Sequence, residues 1–170
     1  LFRSGMDNRW IRGDVELTKT DIDTKETIEG VTFELYRHLD KDTELVEECK
    51  TDDKGQLHIK DLPYGKYELV EKETLENYVL DKTPQEFFIQ EDKGVVKLSM
   101  TNEKIKGDLQ ITKTDVADGK ALPNAGFKIY KEDKKTVVAE GRTDEKGVAY
   151  FEKLIYGKYY YQEFDAPEGY

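Results

Sequence analysis

Val15-Glu16-Leu17-Thr18-Lys19 and its echo Leu109-Gln110-Ile111-Thr112-Lys113 decide how this chain is read. Side chains alternate faces along a strand, so Val15, Leu17 and Lys19 share one face while Glu16 and Thr18 take the other. In both stretches a lysine therefore falls in phase with the apolar, core-facing row. An unpaired ammonium in a core is costly, and the position calls for a partner, a neutral amine or a reaction.

Working outward, the echo becomes a repeat. Ile11-Arg12-Gly13-Asp14 matches Ile105-Lys106-Gly107-Asp108, Phe33-Glu34-Leu35-Tyr36 matches Phe127-Lys128-Ile129-Tyr130, and Tyr64-Gly65-Lys66-Tyr67 matches Tyr156-Gly157-Lys158-Tyr159. Thr51-Asp52-Asp53-Lys54-Gly55 likewise matches Thr143-Asp144-Glu145-Lys146-Gly147. A chain of 170 residues then divides into two small domains, 11–104 and 105–170. Residues 1–10 resemble the last strand of a preceding unit, because Asn8 aligns with Asn102. The second repeat stops at Tyr170, the counterpart of Tyr78, about two strands short of the first. This predicts a piece of a longer array, or a domain completed by another chain.

Short alternating segments separated by Asp, Lys and Gly turns, with no helical period, predict an all-β fold of tandem antiparallel sandwiches, the second incomplete. Expected inward rows are Phe33 and Leu35, Leu57 and Ile59, Tyr67 and Leu69, Phe87 and Ile89, and Val96, Leu98 and Met100. Asp53-Lys54-Gly55 and Glu145-Lys146-Gly147 read as hairpin turns with glycine at positive φ.

Composition narrows the function. With 38% charged residues, a net charge of −10 and a mean hydropathy of −0.81, the surface is acidic and well solvated. Nucleic acid and direct membrane insertion are disfavoured as partners. Cys49 is the only cysteine, which rules out an internal disulfide or thiolate cluster, and His38 and His58 are poor material for a metal site or a triad. No metal or cofactor is expected.

The lysine has company. Inward rows ending at Glu71 (Tyr67, Leu69, Glu71), at Glu163 (Tyr159, Tyr161, Glu163) and at Asn102 (Val96, Leu98, Met100, Asn102) put an acid and an amide in the same phase. Removal from water favours the neutral amine and the neutral acid. Lys19 could then attack the side-chain carbonyl of Asn102 while Glu71 polarises it and shuttles protons to departing ammonia, leaving a Lys-Asn isopeptide bond. The competing reading is an ordinary buried ion pair, or a lysine that snorkels to the rim.

At these residues the chain resembles tandem collagen-adhesin B-type (CnaB-like, prealbumin-like) domains of Gram-positive surface and pilus proteins. The resemblance rests on Leu17 to Asp21 and Ile111 to Asp115, on Tyr159 to Glu163 followed by Ala166-Pro167-Glu168-Gly169-Tyr170, and on Thr101-Asn102. It implies a non-enzymatic, cell-wall-attached extracellular stalk, with a single self-crosslinking event through Lys19, Asn102 and Glu71 and with neighbouring repeats as partners. Repeat one departs from the family run at Lys72-Glu73-Thr74-Leu75. Repeat two keeps Lys113 and Glu163 but has no acceptor asparagine downstream, and Asn8 of another molecule is a candidate acceptor in trans. Binding of a host matrix protein is the alternative function, with Arg12-Gly13-Asp14 as an integrin-like tripeptide. Because Lys106-Gly107-Asp108 stands at the same place, a turn requirement explains it equally well. Leu122-Pro123-Asn124-Ala125-Gly126 similarly reads as a strand-connecting loop rather than a sorting signal.

Overall fold

The computed structural model describes residues 3–4 and 9–170, which form two compact units, Leu1–Lys104 and Ile105–Tyr170. Asn8 and most of the proposed leading-strand remnant lie outside the described residues. The strands of the first unit are β1 (Arg3–Ser4), β2 (Arg9–Trp10), β3 (Arg12–Asp21), β4 (Thr32–His38), β5 (Thr43–Lys50), β6 (Gln56–Pro63), β7 (Gly65–Glu73), β8 (Gln85–Ile89) and β9 (Val95–Asn102). The second unit has β10 (Lys106–Thr112), β11 (Gly126–Lys131), β12 (Val137–Arg142), β13 (Val148–Ile155) and β14 (Tyr159–Asp165). The chain is all-β, as its alternation predicts.

In the first unit, a three-stranded sheet in the order β6-β3-β9 packs on a four-stranded sheet in the order β5-β4-β7-β8. Their facing rows, Val15 and Leu17, Leu57 and Ile59, Phe33 and Leu35, Tyr67 and Leu69, Phe87 and Ile89, merge into one apolar core, with Val96, Leu98 and Met100 packed against its side. β5 lies at a sheet edge, and its row of Glu44, Glu47, Glu48 and Lys50 keeps that edge solvated.

Two features depart from the sequence reading. β3 and β9 pair in parallel, with Leu17 opposite Leu98 and Asp21 opposite Asn102, whereas the other paired strands are antiparallel. First and last strands of the domain thus run side by side in one direction. Second, Asp53-Lys54-Gly55 is not a hairpin turn: it joins β5 of one sheet to β6 of the other, and Glu145-Lys146-Gly147 does the same between β12 and β13. The glycine requirement stands, with φ of 68° at Gly55 and 73° at Gly147. A Cβ on Gly55 would come within 2.7 Å of the Lys19 carbonyl oxygen, so the corner also packs directly against β3.

The second unit repeats this plan with β10-β13 and β12-β11-β14 around Ala125, Phe127, Ile129, Ala149 and Phe151. Residues up to Tyr170 supply no counterparts of β8 and β9. Accordingly Tyr161, expected to point inward, is 63% exposed, and Leu109 and Ile111 are only partly buried.

Candidate functional site

β3 alternates without a break: Gly13, Val15, Leu17, Lys19 and Asp21 are all buried. The inward row therefore continues past the lysine to an aspartate that sequence reasoning did not single out. Lys19 crosses the gap between the sheets. Its Nζ lies 2.8 Å from Glu71 Oε2 on β7, with neither side chain exposed, and donates a 3.0 Å hydrogen bond to the Thr101 carbonyl on β9. The Phe33 ring, its centroid 5.7 Å from Nζ, closes one side.

Asn102, 2% exposed, completes the group. Its Nδ2 donates to Glu71 Oε1 at 2.9 Å and to the Val79 carbonyl at 2.9 Å. A carbonyl only accepts, so Val79 fixes which end of the carboxamide faces the acid. The amide nitrogen, not the oxygen, meets Glu71. The Thr74 hydroxyl stands 3.4 Å from Oδ1 and the Asp81 N–H 3.4 Å from Glu71 Oε1. Among the described residues Glu71 Oε2 makes no hydrogen bond of good geometry, and its near neighbour is Lys19 Nζ at 2.8 Å.

A second polar cluster borders the first. Asp21 accepts the N–H groups of Asp23 and Thr24, the Tyr78 hydroxyl at 2.9 Å and Lys104 Nζ at 3.1 Å. Burial works against its charged form, but these donors outweigh it and hold the carboxyl well below the usual carboxylate range. Burial first, and Asp21 second, push the Tyr78 phenol up to about 12, so it remains a donor at neutral pH.

Other residues named from sequence prove structural. Thr51 is buried and ties two loop groups, donating to Ile28 O at 2.7 Å and accepting Val31 N–H at 3.0 Å; Thr143 does the same for Leu122 and Ala125. The only sign of this in the sequence was the recurrence of threonine at one repeat position. Arg12-Gly13-Asp14 runs within β3: Arg12 donates to the Asp61 carbonyl, and Asp14 accepts Asp61 N–H, capping a residue at φ 61°. Asp108 caps Lys153, φ 56°, in the same way. The tripeptide serves a bulge. Leu122 and Ala125 are buried in the β10–β11 connection. Burial, then Glu47 and Glu48, push the Cys49 thiol up to about 11, away from thiolate reactivity. His38, Glu68 and Glu86, from three adjacent strands, bring ligand-type atoms within 4.8 Å of one another, a grouping not anticipated; Lys66 already pairs with Glu86 at 2.9 Å.

In the second unit, Lys113 lies just past β10, and its Nζ is 3.1 Å from Glu163 Oε2 with the two side chains 33% and 30% exposed. The pair is the same, but the cover is not. Lys113 was expected to be inward-facing within the strand. Its partial exposure follows from the lack of a β9-like neighbour in residues up to 170.

The chain is thus built of two tandem β-sandwich units, the first with a lysine, an acid and an amide sealed between its sheets. The SpaA prealbumin-like fold domain matches residues 13–104 and 107–170, and the chain belongs to that family. A collagen adhesin of Staphylococcus aureus is 32% identical over 131 residues, 72% of this chain and 11% of that protein. Among solved structures, the Bacillus anthracis TIE protein superposes with a TM-score of 0.79 at 39% identity, covering 92% of this chain and 29% of that one. A streptococcal ancillary pilin gives a TM-score of 0.51 at 25% identity, covering 94% of this chain and 55% of that one. The chain thus spans only part of each relative. These are tandem prealbumin-like domains of the kind found in Gram-positive adhesins and pilins. Among the described residues no helix is long and apolar enough to cross a membrane.

Proposed function

We propose that this chain is a stalk segment of a surface adhesin or pilus protein of a Gram-positive bacterium, and that its first domain locks itself with an isopeptide bond between Lys19 and Asn102. The observation carrying this reading is the convergence of Lys19 and Asn102 on the two carboxylate oxygens of Glu71, with all three residues buried. In the reaction, neutral Lys19 Nζ attacks Asn102 Cγ, and a new C–N bond forms as the Cγ–Nδ2 bond breaks. One proton from Nζ passes through Glu71 to the departing nitrogen, and ammonia leaves. With Glu71 Oε1 on Nδ2, the acid is placed to protonate the leaving group, while the Thr74 hydroxyl is the donor nearest the carbonyl oxygen. Fixed geometry replaces an external enzyme.

The mechanical consequence follows from the parallel pairing of β3 and β9. Tension entering at the start of β3 would travel to Lys19, cross the covalent bond and leave from the end of β9, bypassing everything between. The bond would close a loop of about 83 residues and, on the loop-entropy formula for crosslinks, stabilise by roughly 4.5 kcal/mol. Lys113 and Glu163 would perform the same chemistry with an acceptor asparagine from outside residues 105–170, such as further chain or Asn8 of another molecule. The host-binding alternative is weakened because the Arg12 and Asp14 side chains, though at the surface, are already hydrogen-bonded to the Asp61 backbone.

Intact mass decides the matter. Loss of about 17 Da, one ammonia, is expected, abolished in Lys19→Ala and in Glu71→Ala. An unreduced mass in the unmodified chain overturns the crosslink.

A further inference from the structure

The same three-part arrangement occurs beside both lysines. In each domain the loop after the acid-bearing strand turns back at a tyrosine, with Tyr78 N–H on the Leu75 carbonyl at 3.0 Å and Tyr170 N–H on the Pro167 carbonyl at 3.1 Å. In each, that tyrosine's hydroxyl donates to the aspartate two residues after the lysine, Tyr78 to Asp21 and Tyr170 to Asp115. In each, the aspartate also accepts a backbone N–H two residues on, from Asp23 or Ala117.

In the first domain the latch leads straight to the reacting amide. Val79 follows Tyr78; its N–H donates to Glu103 O at 2.8 Å and its carbonyl accepts from Asn102 Nδ2 at 2.9 Å. Lys104 pairs with Tyr78 across an isolated bridge, and its Nζ reaches Asp21 at 3.1 Å, with the Tyr78 ring centroid 5.9 Å away. The loop is held on one side by β3 through Asp21 and on the other by the end of β9. Between these two anchors stands the Val79 carbonyl, which accepts from Asn102 Nδ2 and so helps to set which way the carboxamide faces.

We propose that Tyr78 and Asp21 are positioning residues for the crosslink: their hydrogen bond holds the Val79 carbonyl against Asn102, so that the amide nitrogen, the leaving group, faces Glu71. This rests on the isopeptide reading above. Without the latch the β7–β8 loop loses its tether to β3, and the carboxamide can rotate out of the orientation that puts its nitrogen on Glu71. The second domain forms its own latch within residues 105–170, so the tyrosine–aspartate bond does not require an acceptor strand to be in place. The latch prepares the wall against which the asparagine docks.

The test follows ammonia loss by intact mass during cell-free synthesis of the full chain, so that each molecule starts unreacted. Tyr78→Phe is expected to slow the reaction about tenfold or more, as misplacement of a reacting group does. Asp21→Asn should slow it similarly, and the double variant no further than the slower single. Two controls separate positioning from stability. Ile89→Val, at a core position in β8, is expected to lower the melting temperature while leaving the rate within about twofold. Tyr78→Phe in a Glu71→Gln background should retain the near-ultraviolet circular dichroism of its parent. A Tyr78→Phe chain that crosslinks at the unmodified rate overturns this inference and leaves the proposed function standing. An unmodified chain that never loses ammonia overturns the isopeptide reading, and the inference with it.

Discussion

Glu71 and Lys19 meet at 2.8 Å with both side chains fully buried, whereas Glu163 and Lys113, the same pair one repeat later, meet at 3.1 Å with about a third of each side chain in solvent. The contrast separates pairing from sealing. Pairing needs only β7 opposite β3, or β14 opposite β10, but sealing needs the last strand and the loop before it. A solvated pair gains little, since water screens the attraction between its members.

Lys19→Ala should therefore cost far more than Lys113→Ala. In the uncrosslinked chain, removing one partner of a buried pair leaves the other unpaired in the core, at a cost of about 3–5 kcal/mol. The partly exposed pair should contribute no more than about 1 kcal/mol. Urea unfolding followed by circular dichroism, with the two variants compared to the unmodified chain, checks the ranking.

Acid should weaken the first domain through Asp21. Its folded pKa lies below the ordinary 3.8, so its contribution is complete above that value and is lost as pH falls beneath it. Asp21→Asn should destabilise by about 1–3 kcal/mol at neutral pH, and the difference from the unmodified chain should shrink steadily below about pH 4. Thermal melts across pH 2–7, run in the Glu71→Gln background to remove the crosslink, measure this.

Thr51→Val preserves shape but leaves the Ile28 carbonyl and Val31 N–H without the hydroxyl that links them, at a cost of about 1–3 kcal/mol. Thr143→Val should behave alike in the second domain. Amide hydrogen exchange should show the loss confined to the loops before β4 and β11.

Gly55→Ala strains a left-handed residue and drives a methyl to within 2.7 Å of the Lys19 carbonyl. Destabilisation of about 1–3 kcal/mol is expected. Displacement of β3 at Lys19 should also slow ammonia loss, read by intact mass. Gly119→Ala, in the second domain, is the control: its φ is also positive, at 72°, and nothing lies within 4 Å of the added carbon, so it should leave ammonia loss from the first domain unchanged.

Asp14→Glu should not alter adhesion to an integrin-coated surface, because Asp14 already accepts the Asp61 N–H of its own domain. Loss of adhesion in that variant would restore the tripeptide as a ligand.

Read alone, the chain dictates its repeats, its strands and the phase of each side chain, because a period of two is a local property that Val15, Leu17 and Lys19 already display. That phase was enough to point Lys19, Glu71 and Asn102 inward. It could not show that β3 and β9 run parallel, that the Asp-Lys-Gly turn crosses between sheets, or that Asp21, Tyr78 and Val79 form the wall beside the amide. Those relations join residues far apart in sequence, and no periodicity encodes which strand lies beside which. The overreading of Tyr161 and Lys113 has the same origin: phase says where a side chain points, but burial depends on what the fold places opposite it.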